Sequence, residues 1–313
     1  MKQMICALVP NQDVASYFLI VDAPQVRKSK RGSDYATMVL EDNSGKIDAR
    51  LWEVPAGDTF DANSLKRKIV KVEGRTSEWE GKLQVTISKM RPVCDNDVDV
   101  AMEDFFERSE RDPEEMWTEL LSVLDMRIVS EKVLTLVRRI LLENEAAFKR
   151  APAAKHVHQA YIGGLLEHTL SMCKTATLVA EKYRIDLDLL LAGCVLHDVG
   201  KISELSYGMG TSYTVPGSLL GHIVIGLEMT SKAIDEIEGF PPNLRISVLH
   251  LIASHHGRLE WGSPKQPLMR EAIALHLIDM LDSQMAICDR LLRDGVDDDG
   301  LSAWSKELGG QLF

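Results

Sequence analysis

Leu189-Leu190-Leu191-Ala192-Gly193-Cys194-Val195-Leu196-His197-Asp198-Val199-Gly200-Lys201 is an apolar run that ends on an adjacent imidazole and carboxylate. The run is long enough for a buried helix, and both side chains at its end can lean toward one cation. Burying two such groups is costly unless something pairs with them. A divalent metal satisfies both. An isolated His-Asp pair at a helix end is a common accident, so the rest of the chain decides the reading.

Further His and Asp residues recur around the doublet. His168 sits in Gly163-Gly164-Leu165-Leu166-Glu167-His168-Thr169-Leu170. His222 follows Gly221, His255-His256 precede Gly257, and Asp279 ends Leu275-His276-Leu277-Ile278-Asp279. The chain has nine His; eight lie between positions 156 and 256 and the ninth is His276. Scattered core histidines would not avoid the first 155 residues. Imidazole with carboxylate suits Mn, Fe, Zn, Co or Ni better than Ca or Mg alone.

The order His168, His197-Asp198, Asp279 resembles the HD superfamily of metal-dependent phosphohydrolases. In that all-helical fold one His, the doublet and a distant Asp hold one metal. Members with further His between the doublet and the last Asp usually hold two. The resemblance places that extra set at His222 and one or both of His255 and His256. Longer motifs narrow it. Pro152-Ala153-Ala154-Lys155, His158, and Tyr161-Ile162-Gly163-Gly164-Leu165-Leu166-Glu167-His168 are similar to the YhaM-type 3′→5′ exoribonucleases. So are Ser254-His255-His256-Gly257-Arg258-Leu259-Glu260-Trp261-Gly262-Ser263-Pro264 and Glu271-Ala272 through Asp279 to Leu281-Asp282. Together they span roughly positions 150–285. One position departs: Gln159 follows His158 where that family often has a second His.

The first 93 residues read as β. Tyr17–Val21, Tyr35–Leu40, Ile47–Trp52, Ile69–Gly74 and Leu83–Ile87 are short alternating or β-branched runs, separated by turn chemistry such as Glu41-Asp42-Asn43-Ser44-Gly45. Five strands at these spacings predict a small Greek-key barrel of OB type. The stretch Val39–Trp52 is similar to nucleic-acid-binding OB domains and to the N-terminal domain of YhaM-type enzymes. Such barrels bind single strands on aromatic platforms with a basic rim. The candidates are Tyr35, Trp52 and Trp79, with Arg27, Lys28, Lys30, Arg31, Arg50 and Lys82. The plainer alternative has Tyr35 and Trp52 in core or hairpin packing and Arg27–Arg31 as a solvated loop.

Charge follows the same division. The chain carries a formal −11, yet residues 1–93 hold 15 Lys/Arg against 12 Asp/Glu, about +3, which leaves about −14 for the remainder. A basic strand-gripping domain can coexist with an acidic, cation-gathering one. No apolar run reaches membrane-spanning length, and the N-terminus lacks a secretory apolar region. Cys6, Cys94, Cys173, Cys194 and Cys288 form no CxxC pair, so reduced buried thiols in a cytoplasmic protein are expected.

The predicted organisation is multi-domain α and β. A five-stranded OB-type barrel (1–93) precedes a linker with bracing helices (94–150), an all-α HD bundle (151–293) and a tail (294–313). Asp112-Pro113 with Glu115 starts the first bracing helix as a capping box. The tail's Asp297-Asp298-Asp299-Gly300 is a solvated turn, with a metal loop as the lesser reading.

The metal ligands expected are His168, His197, Asp198, His222, His255, His256 and Asp279, for two divalent ions with Mn first and Fe, Co, Ni, Zn or Mg as alternatives. Lys201, His158 and Arg258 are the catalytic candidates, as groups that touch phosphate or the terminal nucleotide. Lys201 could instead be a helix C-terminal charge complementing the dipole, and His158 a group orienting a ligand. The function expected is hydrolysis of single-stranded RNA, with DNA also open, from its 3′ end to 5′-nucleoside monophosphates. The 3′→5′ polarity is what the resemblance implies. The alternatives are an HD phosphohydrolase of nucleotides or cyclic dinucleotides with the barrel as sensor, and a non-catalytic single-strand-binding protein. A homo-oligomer is left open; no membrane partner is expected.

Overall fold

In the computed structural model, residues 1–2, 30–31, 55–59, 80, 95–96, 98–99, 101–103, 106–107, 154–160, 209, 294 and 298 lie outside the described part, and 206–208 and 210–212 are described for backbone only. The chain divides into two compact units, 1–107 with 207–211, and 108–206 with 212–313.

The first unit is built from β1 (Asp13–Ile20), β2 (Gln25–Lys28), β3 (Asp34–Asp42), β4 (Gly45–Leu51), β5 (Ile69–Trp79) and β6 (Lys82–Pro92). Six strands form where five were expected. The addition is β2, a four-residue strand whose residues are all exposed, so it has no apolar alternation to announce it. The pairings run in a cycle, β1–β5–β6–β4–β3 and back to β1. All are antiparallel except β4–β6, and the closing β1–β3 contact involves only Leu19–Glu41 and Ile20–Leu40. This is the OB arrangement, with β2 added outside β3.

Side-chain alternation explains the cycle. Along β3, Ala36, Met38, Leu40 and Asp42 point inward and are buried. They meet Phe18, Ile20, Ala49, Leu51, Val70, Val72, Val85 and Ile87 in one core. Each fully buried large aliphatic or Phe side chain contributes about 1.5–3 kcal/mol. The one carboxylate among them, Asp42, is satisfied: it accepts from the backbone N of Ile5 at 2.7 Å and of Ser44 at 2.8 Å.

The second unit is helical, with α1 (Pro113–Arg127), α2 (Glu131–Glu143), α3 (Glu145–Arg150), α4 (Gly164–Tyr183), α5 (Leu187–Leu196), α6 (Lys201–Glu204), α7 (Val215–Asp235), α8 (Pro242–Ser254) and α9 (Arg270–Arg293). Between α6 and α7 in the chain, two short strands that the sequence did not announce, β7 (Leu205–Gly208) and β8 (Gly210–Tyr213), pair with each other; residues 207–211 belong to the first unit. Each is four residues long, too short for a periodicity to register.

Local chemistry sets the helix starts. Asp112 accepts from the N–H groups of Glu114 and Glu115 with Pro113 at the first position of α1, Ser130 caps α2, and Asp186 caps α5. The bracing helices α1 and α2 pack on α4 and α5. Helix α5 is apolar all round and buried from Leu190 to Leu196, as a central helix must be. In the tail, Asp297 Oδ1 accepts from the N–H of Asp299 and Leu301, which is turn chemistry.

The thiols correct one expectation. Cys173 and Cys194 are buried, but Cys6 and Cys94 are exposed and Cys288 is intermediate; all five are unpaired. Among the described residues no helix is long and apolar enough to cross a membrane.

Candidate functional site

Five segments deliver the His and Asp residues to one place. The first half of α4 supplies His168. The end of α5 supplies His197, its C-cap, and Asp198. His222 lies in α7 directly after a break at Gly221, where φ is +72° and the helix changes course. His255 caps α8 and His256 follows it. Asp279 comes from the middle of α9. Gly200 lets α7 come close: a Cβ there would lie 2.0 Å from the carbonyl oxygen of His222.

Two groups of ligand atoms result. His168, His197 and Asp198 form one, and His222, His255 and His256 the other; within each, the atoms lie within 4.8 Å of one another. Asp198 faces both. Its Oδ2 is 3.3 Å from His197 Nε2, and its Oδ1 is 3.4 Å from His222 Nε2 and 3.7 Å from His255 Nε2. Asp279 Oδ1 lies 3.4 Å from His168 Nε2. His168, His197, Asp198 and His255 are buried, while His222 and Asp279 keep some solvent exposure.

The other ring nitrogens reveal the tautomers. His197 Nδ1 donates toward the carbonyls of Gly193 and Cys194, and His255 Nδ1 to that of Ile252 at 2.8 Å. His256 Nδ1 donates to the carbonyl of Trp261 at 3.0 Å. His222 Nδ1 meets Glu204 Oε1 at 3.2 Å, and His168 Nδ1 meets Asp282 Oδ2 at 2.7 Å. A nitrogen facing an oxygen acceptor carries the proton, so in each neutral ring Nε2 holds the lone pair. Those lone pairs converge. His197 Nε2, His222 Nε2, His255 Nε2 and Asp198 Oδ1 are buried with no hydrogen-bond partner among the described residues. Four orphaned acceptors facing one another are unfavourable without a cation between them. The donor set fits divalent transition metals, and the anchored Nδ1 atoms are the outer support such ligands need.

Electrostatics agree. Burial, then the neighbouring His197, push the pKa of His255 well below the imidazole range; burial and His222 lower that of His256. Both are therefore neutral and ligand-competent. Burial opposes the charge on Asp198, but Lys201 and His197 outweigh it and hold the carboxyl well below its usual range. Burial disfavours protonated His168, yet Asp279 and Asp282 prevail and raise it to about 9. A cation on Nε2 would take that proton's place.

Two supporting carboxylates were not among the expected site residues. Asp282 is one turn beyond Asp279 on the same face of α9, and it also accepts from Ser171 Oγ. Glu204 accepts from both the backbone N and Nδ1 of His222. The i+3 spacing of Asp279 and Asp282 was a readable signal; nothing local links Glu204 to His222, eighteen residues later.

Lys201 donates to Asp198 Oδ2 at 2.5 Å and starts the four-residue α6. It lines a 280 Å³ pocket beside the ligands. Arg258 lies with its guanidinium carbon 4.7 Å from the centroid of the Trp261 ring. His158, Lys30 and Arg31 lie outside the described residues.

On the first unit, strand register gathers the remaining candidates. Arg27 pairs with Tyr35, Thr37 with Arg50, Arg50 with Thr86, and Trp79 with Lys82. Alternation places Arg27, Tyr35, Arg50, Trp52, Trp79 and Lys82 on the face opposite the core. Tyr35 and Trp52 stack at 5.2 Å between centroids. The Arg50 guanidinium carbon lies 6.0 Å from the Trp52 ring and 5.8 Å from that of Trp79. Trp52 is 44% and Trp79 57% exposed, so neither is a core residue. Lys28 is paired with Asp34 in solvent at 3.3 Å, a contact of little energetic weight.

Residues 165–284 match the family described as HD domain. Fold and site together define a metal-dependent hydrolase of the HD class with an OB domain before it. The chain is 37% identical over 276 residues to the 3′-5′ exoribonuclease YhaM of Bacillus subtilis (strain 168), covering 88% of this chain and 86% of that one. It is 38% identical over 282 residues to the YhaM of Bacillus velezensis, covering 90% and 88%. The chain belongs to the YhaM 3′-5′ exoribonuclease family. Among solved structures, the second OB-fold domain of replication protein A from Methanococcus maripaludis matches at 21% identity and TM-score 0.25, covering 30% of this chain and 95% of that one. The strand cycle, not that slight likeness, carries the OB assignment.

Proposed function

We propose that this protein is a 3′→5′ exoribonuclease that binds two divalent cations, Mn²⁺ first among them, and releases 5′-nucleoside monophosphates in the cytoplasm. The observation that carries the proposal is the convergence of orphaned Nε2 lone pairs on a buried carboxylate. His168, His197, Asp198 and Asp279 would hold one cation. His222, His255 and His256 would hold the other, with Asp198 offering one oxygen to each. When bound, the cations supply a hydroxide nucleophile near neutral pH and neutralise the charge that develops on the phosphate.

The chain's own groups do the rest. The carbonyls of Gly193, Cys194, Ile252 and Trp261, with Glu204 and Asp282, keep each imidazole in the ligating tautomer. Lys201, which lines the pocket, would bind a non-bridging oxygen of the scissile phosphate. The exposed Tyr35–Trp52–Arg50–Trp79 cluster grips single-stranded RNA by stacking and charge.

The direct test is a 5′-labelled single-stranded RNA with Mn²⁺. A ladder that shortens from the 3′ end, with 5′-monophosphates as product, is expected. Cleavage of free nucleotides or cyclic dinucleotides with the strand left intact would overturn the reading in favour of a small-molecule phosphohydrolase.

The strand-binding face makes a separate prediction. Trp52→Ala with Trp79→Ala should weaken binding of a long strand by about 1–3 kcal/mol per lost stacked base. Arg50→Ala should flatten the salt dependence of affinity, since fewer counterions are released. Both should hydrolyse a dinucleotide at near-normal rates. Unchanged strand affinity in a salt titration of the double variant would show that this face is not the gripping one.

A further inference from the structure

The pocket beside the metal ligands has a wall that the hydrolytic chemistry does not use. Its 280 Å³ is lined by the candidate ligands Asp198, His255, His256 and Asp279 together with Lys201, and also by Trp261, His276 and Met280. That volume falls just under the roughly 300–1,000 Å³ usual for small-molecule sites. It has room for one nucleotide unit, not for a length of strand. We infer that this pocket is the subsite for the 3′-terminal nucleoside, with the Trp261 indole as the surface that takes its base.

The indole is held where such a contact needs it. The backbone carbonyl of Trp261 accepts from His256 Nδ1, so the ring's residue is tied to a candidate ligand. His276 Nδ1 donates to the carbonyl of His255 at 2.8 Å, and its ring lies 6.0 Å from the Trp261 ring. The turn that brings these groups together depends on Gly257. Its φ is +78°, and a Cβ there would sit 2.3 Å from the His276 imidazole. Hydrogen bonds thus tie the Trp261 backbone and the His276 ring to the His255–His256 segment.

The indole is also available. It is 47% exposed. A planar cation, the Arg258 guanidinium, already lies against it at 4.7 Å. A purine or pyrimidine is the same kind of flat partner, and its arrival would free Arg258 to meet phosphate. Stacking of this kind is tolerant of base identity, which suits an enzyme that removes residues one after another.

The inference rests on the exonuclease reading, and the experiment separates the two. The first turnover is measured on a 5′-labelled oligoribonucleotide ending in adenosine, and on the same strand ending in an abasic ribose. The unmutated protein with Mn²⁺ is expected to cleave the abasic end about tenfold more slowly, the loss of one stacked base. Trp261→Ala should cleave both ends at that slow rate, with unchanged metal content by elemental analysis. Trp261→Phe should restore the difference.

If Trp261→Ala discriminates between the two ends as the unmutated protein does, the base is held elsewhere and the inference fails. It fails too if the unmutated protein does not discriminate, or if Trp261→Ala loses its metal. Absence of cleavage of either strand by the unmutated protein would instead overturn the exonuclease reading itself.

Discussion

Asp198→Ala is expected to lose hydrolysis by at least about a thousandfold, since it removes a group that would position both cations of the catalytic clamp. Bound metal should fall at both positions, because Asp198 Oδ2 faces His197 while Oδ1 faces His222 and His255. The substitution also removes the Asp198 carboxylate that Lys201 contacts at 2.5 Å. Truncating one member of a buried pair destabilises, so Asp198→Asn is the companion that keeps shape and hydrogen bonding while removing charge. Circular dichroism establishes that both variants are folded, and elemental analysis reads the metal. Full metal occupancy in a folded Asp198→Ala protein would remove Asp198 from the ligand set.

His222→Ala should separate the two positions. His168, His197 and Asp198 form a group without it, so one cation is retained. The other position keeps His255, His256 and one oxygen of Asp198 but loses a ligand, and activity should fall by about a hundredfold or more as half of the clamp is weakened. Glu204→Ala should show a milder version, about 10–100-fold, because it removes the carboxylate that orients His222 and leaves the imidazole in place. Stoichiometry decides the matter. Unmutated protein holding one metal, with His222→Ala keeping that metal and near-full activity, would leave a single-cation enzyme.

The candidate ligands were readable in order along the chain because metal chemistry admits few side-chain types, and the histidines among them all lie after position 155. How they divide was not readable. His255 and His256 are neighbours, and sequence offers no reason for both to face His222. They do so because His255 caps α8, and the turn that follows points the next side chain to the same side. The supporting carboxylates split likewise. Asp282 shares a helix face with Asp279 and follows from period; Glu204 reaches His222 only through the packing of α6 on α7.

The barrel shows the same boundary. Alternation made β3 and β4 legible. It said nothing of β2, which buries no side chain. Trp52 and Tyr35 were equally compatible with core packing and with an exposed platform. Strand register settled their side: Leu51 pairs with Ala36 in the interior, so the residues next to them, Trp52 and Tyr35, point outward together.

Local sequence by itself determined the kinds of element, their order, and the chemical types at the site. Hydrophobic period, helix caps and ligand chemistry all act over a few residues, within reach of a reading along the chain. The tertiary structure alone decided which imidazole nitrogen is left facing the cluster, that Asp198 stands between two groups, and that Trp261 lines the same pocket. Those outcomes depend on where carbonyls and carboxylates from distant segments come to rest. A tautomer is set by the acceptor opposite its N–H, and that acceptor can lie more than a hundred residues away, as Asp282 does from His168.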